Sequence, residues 1–283
     1  MEKGCLYVVA TPIGNLEDMT PRAIRILREV DLIAAEDTRH SKVLLSHFDI
    51  KTPMFSCHKF NEEKRVDFFI SKLAEGKNIA LVSDAGTPCI SDPGHMLVKM
   101  AADAGLAVHA VCGASAVISA LSVSGFDVSR FSFLGFLPRI KGDILKAIKT
   151  VLPGTIVFYE SPKRIVSTLT ILAQQYPNAH ACVCNDISKK FERAYHGLLS
   201  DVLRELTENS YAEKGEYACV LDVTEVEETA IEDMPSLESL LVDIIVKQNC
   251  TPKDATAKLH KIHDNISKKA IYAAMLNLKE LFE

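Results

Sequence analysis

The chain has 283 residues, of which 48% are hydrophobic and 24% are charged, a composition typical of globular proteins with more than one buried core. Its net charge of −5 excludes a uniformly basic nucleic-acid-binding protein. No apolar run approaches the roughly 20 residues of a membrane-spanning helix, and the N-terminus lacks the layout of a signal peptide. We therefore expect a cytoplasmic protein without membrane contact.

In the first part of the chain, short apolar runs alternate with amphipathic stretches. Strands are predicted at 5–10, 31–36, 79–84 and 106–111, because each run is short and bounded by turn residues. Thr20 followed by Pro21 predicts the start of one helix, and Asn61 predicts the start of another. Strands that alternate with helices predict a mainly parallel sheet covered on both faces.

The same pattern restarts after a connector near residue 125, with strands predicted at 131–136, 155–160, 180–186 and 216–223. Residues 251–279 contain six lysines and two aspartates. This excess of positive charge is typical either of a surface that contacts phosphates or of a solvent-exposed helix face. The predicted organisation has four parts: an N-terminal α/β domain (1–124), a second α/β domain (125–225), an acidic linker (226–235) and a small basic helical domain (236–283).

The cysteines and histidines do not predict a metal site. The eight cysteines are scattered, never form a CxxC pair and mostly lie in apolar segments, so buried thiols are expected. His260 and His263 form a bare HxxH motif without a nearby third ligand in the sequence. We expect no metal cofactor.

Three loops directly follow predicted strands: ATPIGN (10–15), AEDTRH (35–40) and SDAGTPCISDPG (83–94). Ligands of open α/β sheets bind outside the carboxyl ends of the strands, so these loops are expected to share one rim. The third loop has two Asp, two Pro and two Gly, and its Asp84 or Asp92 could accept hydrogen bonds from ribose hydroxyls or an amino group. Such loops also serve purely structural roles, because Asp and Ser often cap helices.

The segments VATPIGNLEDMTPRAIRILREVDLIAAEDTRHSKVLLSHFDI, LVSDAGTPCISDPG, FLGFLP, FYESPKRI and KGEY together resemble the tetrapyrrole methylase superfamily. Within it, they resemble the ribosomal RNA small subunit methyltransferase I branch over about residues 5–222. The resemblance implies two α/β domains of the tetrapyrrole methylase type with S-adenosylmethionine in the cleft between them, plus a small C-terminal helical unit. It also implies a homodimer that methylates a cytidine 2′-hydroxyl in the decoding region of small-subunit ribosomal RNA.

The resemblance also implies which residues bind S-adenosylmethionine. The first loop needs no GxGxxG motif, because this cofactor has no pyrophosphate. The implied cofactor-binding residues come from four loops and from the second domain: Pro12, Gly14, Asp84, Gly86, Thr87, Pro88, Ile90, Ser91, Ser115, Ala116, Leu137 and Pro138.

The chain departs from the family pattern at two places. Cys112 replaces a proline before Gly113, and Asn185-Asp186 replaces an Arg-Glu pair ahead of two lysines. The second change removes a fixed cation and shortens an acid, which leaves any role of that pair in RNA placement open.

A weakly nucleophilic ribose hydroxyl needs a base, and the candidates are Asp37 and Glu36 after the second strand. Adjacent acids on an extended chain point apart, so one of them is expected to face the cleft. Asp37→Ala is then expected to slow transfer with little loss of cofactor affinity. The alternative is that Asp37 or Thr38 caps the helix that begins near Arg39.

Basic and aromatic residues on both domains are candidates for RNA contact, since phosphates favour Arg and Lys and exposed bases stack on aromatic rings. These residues are Arg39, Arg139, Lys141, Tyr159, Lys163, Arg164, Lys189 and Lys190. Tyr159 could equally be a core residue.

Two other functions share parts of this pattern. A methylase of a tetrapyrrole or another small molecule would have the same cofactor loops, although AEDTR, FYESPKRI and the basic tail favour small-subunit ribosomal RNA or the small ribosomal subunit as the partner. A non-catalytic RNA-binding protein would bind cofactor or nucleotide without methyl transfer.

Overall fold

The computed structural model describes residues 3–58, 62–223, 237–248, 250–262 and 268–280. The chain divides near residue 225 into two compact units. The predicted cap Asn61, the predicted linker and His263 lie outside the described residues.

The first unit begins with a parallel five-stranded sheet in the order β3-β2-β4-β1-β5. Its strands are β1 (Cys5–Val9), β2 (Leu32–Ala35), β3 (Met54–Ser56), β4 (Ile79–Val82) and β5 (Ala107–Val111). The helices between them are α1 (Pro21–Glu29), α2 (Thr38–His47), α3 (Glu62–Ala74) and α4 (His95–Asp103), and α5 (Ala116–Ser124) follows β5.

Buried residues on both faces explain why the strands of this sheet are almost wholly apolar. Ile33 packs with α1 and α2 residues on one face, whereas Ala34 packs with α3 and α4 residues on the other. Thr20 caps α1 as predicted, since its hydroxyl accepts a hydrogen bond from the Ala23 amide at 3.1 Å. Sequence reasoning missed β3, because three half-buried residues give too short a pattern.

A second five-stranded sheet, in the order β6-β7-β10-β8-β9, follows in the same unit. Its strands are β6 (Phe131–Phe136), β7 (Gly154–Glu160), β8 (His180–Asn185), β9 (Arg193–Leu198) and β10 (Tyr217–Val223). The helices are α6 (Lys141–Lys149), α7 (Ile165–Gln175) and α8 (Leu199–Glu208). Only β6 and β7 pair in parallel among the pairs described, so this sheet is mixed.

Helix α5 joins the two sheets. Four residues separate it from β5 of the first sheet, and its buried Val117, Ala120 and Leu121 pack against Val157 and Val220 of the second sheet. The chain therefore passes from the end of β5 directly onto the second sheet. The predicted boundary at 124/125 would assign α5 to the first domain, although its apolar side contacts the second sheet, and that division stays a prediction.

The second unit contains the described helices α9 (Leu237–Gln248), α10 (Pro252–Ile262) and α11 (Lys268–Glu280). They pack through Leu241, Leu259 and Ile271, which are all buried. Lys253 and Lys269 are exposed, whereas the side chains at 261, 268 and 279 lie outside the described residues. The described helices are each too short or too polar to cross a membrane.

Candidate functional site

A cavity of about 340 Å³, which we name the large cavity, lies where the strand ends of the first sheet meet the second sheet. Its volume is typical of small-molecule sites. The first sheet and α5 line it with Ile13, Ala85, Gly86, Thr87, Ile90, Ser91, Asp92, Ser115 and Ala116. The second sheet and its loops line it with Phe136, Tyr159, Glu160, Ser161, Pro162, Ile187, Glu216, Tyr217 and Ala218. The structure thus brings together six of the predicted cofactor residues.

Backbone hydrogen bonds join the loops after β1 and β4. The Thr11 amide donates to the Gly86 carbonyl at 2.8 Å, and the Gly86 amide donates to the Thr11 carbonyl at 3.0 Å. Gly86 has φ +75°, and a Cβ there would lie 3.3 Å from Cγ2 of Ile13. The Thr87 hydroxyl donates to the Ala114 carbonyl at 3.2 Å, which adds the loop after β5. Glycine at 86 is required because the conformation is left-handed and the wall is close.

The rest of the loop after β4 is held in an uncommon conformation. Cys89 and Ser91 have φ values of 70° and 68°, although neither is glycine. A Cβ on Gly135 of β6 would lie 3.2 Å from Oγ of Ser91, so this loop touches the second sheet. Left-handed backbone at non-glycine residues is unfavourable and often marks a functional site.

The wall from the second sheet is aromatic. The Tyr159 ring lies 5.2 Å from the Phe133 ring and 5.6 Å from the Phe136 ring, measured between centroids. Burial, together with the nearby Asp92 carboxylate, raises the pKa of Tyr159 to about 12. Tyr159, predicted as an RNA contact, is thus half-buried in the cavity wall.

Sequence reasoning gave no role to nine further lining residues: Ile13, Ala85, Phe136, Ser161, Pro162, Ile187, Glu216, Tyr217 and Ala218. Glu216 and Tyr217 belong to the KGEY segment, which resembles the family but whose residues the resemblance assigns to no site.

Carboxylates at the rim have raised pKa values. Burial, and next the charge of Glu36, raises the pKa of Asp92 to about 6, while the nearby Ser83 hydroxyl acts in the opposite direction. The pKa of Glu36 is also raised, mainly by burial. One oxygen of Glu36 accepts a hydrogen bond from the Asp84 amide at 3.4 Å, and the Asp84 carboxylate accepts one from the Asp37 amide at 3.1 Å.

Asp37 caps a helix, which is the alternative to its predicted role as a base. It is the N-cap of α2, where Oδ1 accepts a hydrogen bond from the Arg39 amide at 2.8 Å and Oδ2 pairs with Nη2 of Arg39 at 2.7 Å. The hydrogen bonds from Arg39 hold the pKa of Asp37 well below its ordinary value. The structure therefore gives Asp37 a capping role that opposes proton uptake, and neither Asp37 nor Glu36 lines the large cavity.

Six predicted cofactor residues lie elsewhere. Pro12, Gly14 and Asp84 line a second cavity of about 300 Å³ beside α2, together with Leu16, His40, Val43, Leu44 and His47. Pro88 and Leu137 are buried, and Leu137 and Pro138 present their carbonyls to Arg164. Loop spacing could not separate these two cavities, because both lie at the same edge of the sheet.

Three predicted RNA contacts are occupied by neighbouring acids. Arg39 pairs with Asp37, and Nη2 of Arg164 lies 3.2 Å from Oε2 of the buried Glu160. Lys189 pairs with Asp186 at 2.9 Å and with Glu216 at 2.8 Å. The structure instead leaves other predicted side chains exposed, namely Arg139, Lys141, Lys163 and Lys190.

The departure at Asn185-Asp186 has a structural explanation. Asn185 is buried, and its Nδ2 donates to the Lys214 carbonyl at 3.2 Å and to the Glu216 carbonyl at 3.4 Å. Asp186 has φ 52° and receives the Lys189 ammonium. This pair therefore shapes the connection at the end of β8. The other departure, Cys112, is exposed.

Relatives that match almost all of this chain share one name. The chain is 40% identical over 274 residues to the ribosomal RNA small subunit methyltransferase I of Escherichia coli O157:H7, and the match covers 95% of this chain and 94% of that relative. It is 39% identical over 279 residues to the protein of that name from Pseudomonas aeruginosa, with 98% of each chain covered.

Solved structures of lower identity share the fold. Diphthine synthase superposes with a TM-score of 0.58 at 14% identity over 77% of this chain and 89% of that one. A uroporphyrin-III C-methyltransferase from Thermus thermophilus, complexed with S-adenyl homocysteine, superposes with a TM-score of 0.52 at 17% identity over 78% and 98%. A sequence model of the tetrapyrrole (corrin/porphyrin) methylases matches residues 5–203. The chain therefore belongs to the ribosomal RNA small subunit methyltransferase I family of the tetrapyrrole methylases.

Proposed function

We propose that this protein transfers a methyl group from S-adenosylmethionine to small-subunit ribosomal RNA, at the 2′-hydroxyl of a cytidine in the decoding region. The proposal depends mainly on one observation: the chain is 39% to 40% identical, over nearly its full length, to relatives named ribosomal RNA small subunit methyltransferase I. The finer choice of a cytidine 2′-hydroxyl comes from the family resemblance alone.

The large cavity has the chemistry that S-adenosylmethionine requires. Its charged lining residues are Asp92, Glu160 and Glu216, and none of the described lining residues is Lys, Arg or His. An acidic and aromatic wall suits a sulfonium cation and would repel a pyrophosphate. Ile13, Ile90 and Ile187 supply apolar surface for an adenine ring.

The residues that would hold the cofactor are therefore those of the large cavity. Backbone groups of the Gly86 loop and the start of α5 would bind its polar edges, and Tyr159 and Tyr217 would enclose it. When bound, S-adenosylmethionine supplies an electrophilic methyl group on a positively charged sulfur. The protein contributes alignment and a shielded space, which can account for several kcal/mol of the barrier.

The RNA would approach past exposed cations near the cavity. Arg139 and Lys163 lie on loops that follow β6 and β7, the two strands that supply Phe136 and Tyr159. Phosphate contacts from such residues would make binding depend on salt. We also propose that the protein is cytoplasmic and forms a homodimer. The exposed Ile118 and Val123 on α5 provide apolar surface for a second copy.

The decisive experiment measures methyl transfer from labelled S-adenosylmethionine to small subunits from cells that lack this protein. We expect one 2′-O-methylcytidine in the decoding region, mapped by nuclease digestion and mass spectrometry. Ala116→Leu, which fills the cavity from α5, should weaken cofactor binding at least tenfold, by roughly 1.4 kcal/mol or more. Ser122→Ala, on the exposed side of the same helix, is the matched control.

Other results would point to the rival functions. Transfer to a tetrapyrrole and none to RNA would support a small-molecule methylase. Cofactor binding without transfer to either substrate would support a non-catalytic RNA-binding protein.

A further inference from the structure

Three carboxylates line the large cavity, and two of them are ion-paired. Glu160 pairs with Arg164 at 3.2 Å, and Glu216 pairs with Lys189 at 2.8 Å. Glu160 also accepts hydrogen bonds from the Ser161 amide and the Thr168 hydroxyl, both at 2.7 Å. The third carboxylate, Asp92, forms no salt bridge with any of the described residues. Asp92 is therefore the lining carboxylate best able to accept a proton.

The position of Asp92 is set by the strained loop after β4. Ser91, immediately before it, and Cys89 both have left-handed backbone, and Gly94 has φ +119°. A Cβ at Gly94 would lie 2.6 Å from Cδ2 of Leu81, so this backbone is pressed against its own strand. The fold maintains an unfavourable backbone that places Asp92 in the cavity wall.

We propose that Asp92 is the general base of the reaction: its carboxylate accepts the proton of the target 2′-hydroxyl while the ribose oxygen bonds to the methyl carbon. This role rests on the proposed function. The carbon–sulfur bond breaks with its electron pair going to sulfur, so the sulfonium becomes a neutral thioether. The ribose oxygen ends as a methyl ether, and the neutral Asp92 acid returns its proton to water.

The groups that face Asp92 favour this use. The charges of Glu36 and Asp84 oppose its ionisation, and the nearby Ser83 hydroxyl, which donates to the Ala85 carbonyl at 3.2 Å, acts in the opposite direction. Tyr159 faces it from β7, and Glu36 is itself faced by Asp37 and His58. Burial and these acids raise the pKa of Asp92 to about 6. A base is most effective when its pKa lies near the working pH.

The test compares purified full-length variants on small subunits from cells that lack this protein. Asp92→Asn should lower kcat by about 10²- to 10⁴-fold, the usual contribution of a general base, and raise the Kd for S-adenosylmethionine by at most about tenfold, since Glu160 and Glu216 stay in the cavity wall. Asp92→Glu should restore part of the rate. Asp103→Asn, an exposed carboxylate on α4 that pairs with Lys99, should retain the wild-type rate.

The pH dependence separates a base from a structural residue. For the wild type, kcat/KM should fall about tenfold per pH unit below the pKa of about 6, and Asp92→Asn should lack this dependence. A kcat within threefold of the wild type, or an unchanged pH profile, would overturn the assignment. No transfer by the wild type would reject the proposed function, and the base role with it.

A readout without substrate completes the test. The carboxyl ¹³C resonance of Asp92, assigned by its loss in Asp92→Asn, should titrate in the protein alone with a pKa of about 6. Titration at the ordinary value for aspartate, near 4, would contradict the geometry on which the proposal depends.

Discussion

The loops after β2 and β4 end neighbouring parallel strands, yet their aspartates have opposite surroundings. Asp37 caps α2 and pairs with Arg39, which holds its pKa low, whereas burial and neighbouring acids raise the pKa of Asp92. A carboxylate that an arginine already neutralises gains little from a proton. Position at a strand end therefore does not select a base, since the pKa of a carboxylate depends on the groups that it touches.

The largest expected effect on stability comes from removing the arginine of an arginine–carboxylate pair at the end of β7. The Glu160 side chain is fully buried beside Arg164. Arg164→Met should therefore destabilise the protein by about 3 kcal/mol, because a buried charge loses its cation. Urea denaturation at pH 7.5 measures the change.

Lys163→Met is the matched control for this prediction, because Lys163 is exposed and adjacent in sequence. It should leave the free energy of unfolding unchanged within about 0.5 kcal/mol and weaken RNA binding. If Arg164→Met and the wild type unfolded at the same urea concentration, the ion pair between Arg164 and Glu160 would not stabilise the protein.

The second prediction, at Asp92, is an increase in the free energy of unfolding. The fold raises the pKa of Asp92, so the ionised carboxylate destabilises the protein as pH rises from about 4 through about 6. Asp92→Asn removes that charge and should stabilise the protein at pH 7.5 by about 1 kcal/mol, a value discounted for partial exposure. The gain should disappear at pH 4, where Asp92 is protonated in the folded state.

Urea denaturation of both proteins at pH 7.5 and pH 4 measures this difference. A loss of stability at both pH values would show that Asp92 is a structural residue like Asp37. Higher stability combined with slower transfer is the pattern of a residue retained for function.

Much of the fold was predictable, because β1, β2 and β4 are continuous apolar runs between turn residues and Thr20-Pro21 marks a helix start. The α/β fold and the family prediction are confirmed. Strand β9 was missed because Arg193–Leu198 is mostly exposed and lacks apolar alternation. The proton acceptor could not be chosen from sequence, since the arginine beside Asp37 and the burial of Asp92 are tertiary facts.

The smallest expected effect is at Asp37. Asp37→Ala removes a helix cap and an exposed ion pair, so it should lower Tm by a few degrees and leave kcat within about threefold, whereas Asp37→Asn, which can still cap, should lower Tm less. Because the fold lowers the pKa of Asp37, its stabilising effect is present above pH 4 and declines as pH falls, so the Tm difference should shrink at pH 3. Calorimetry at pH 7 and pH 3 with parallel transfer assays tests this. A hundredfold loss of kcat at an unchanged Tm would return the base role to Asp37, because a residue that only caps a helix cannot slow chemistry in a protein that stays folded.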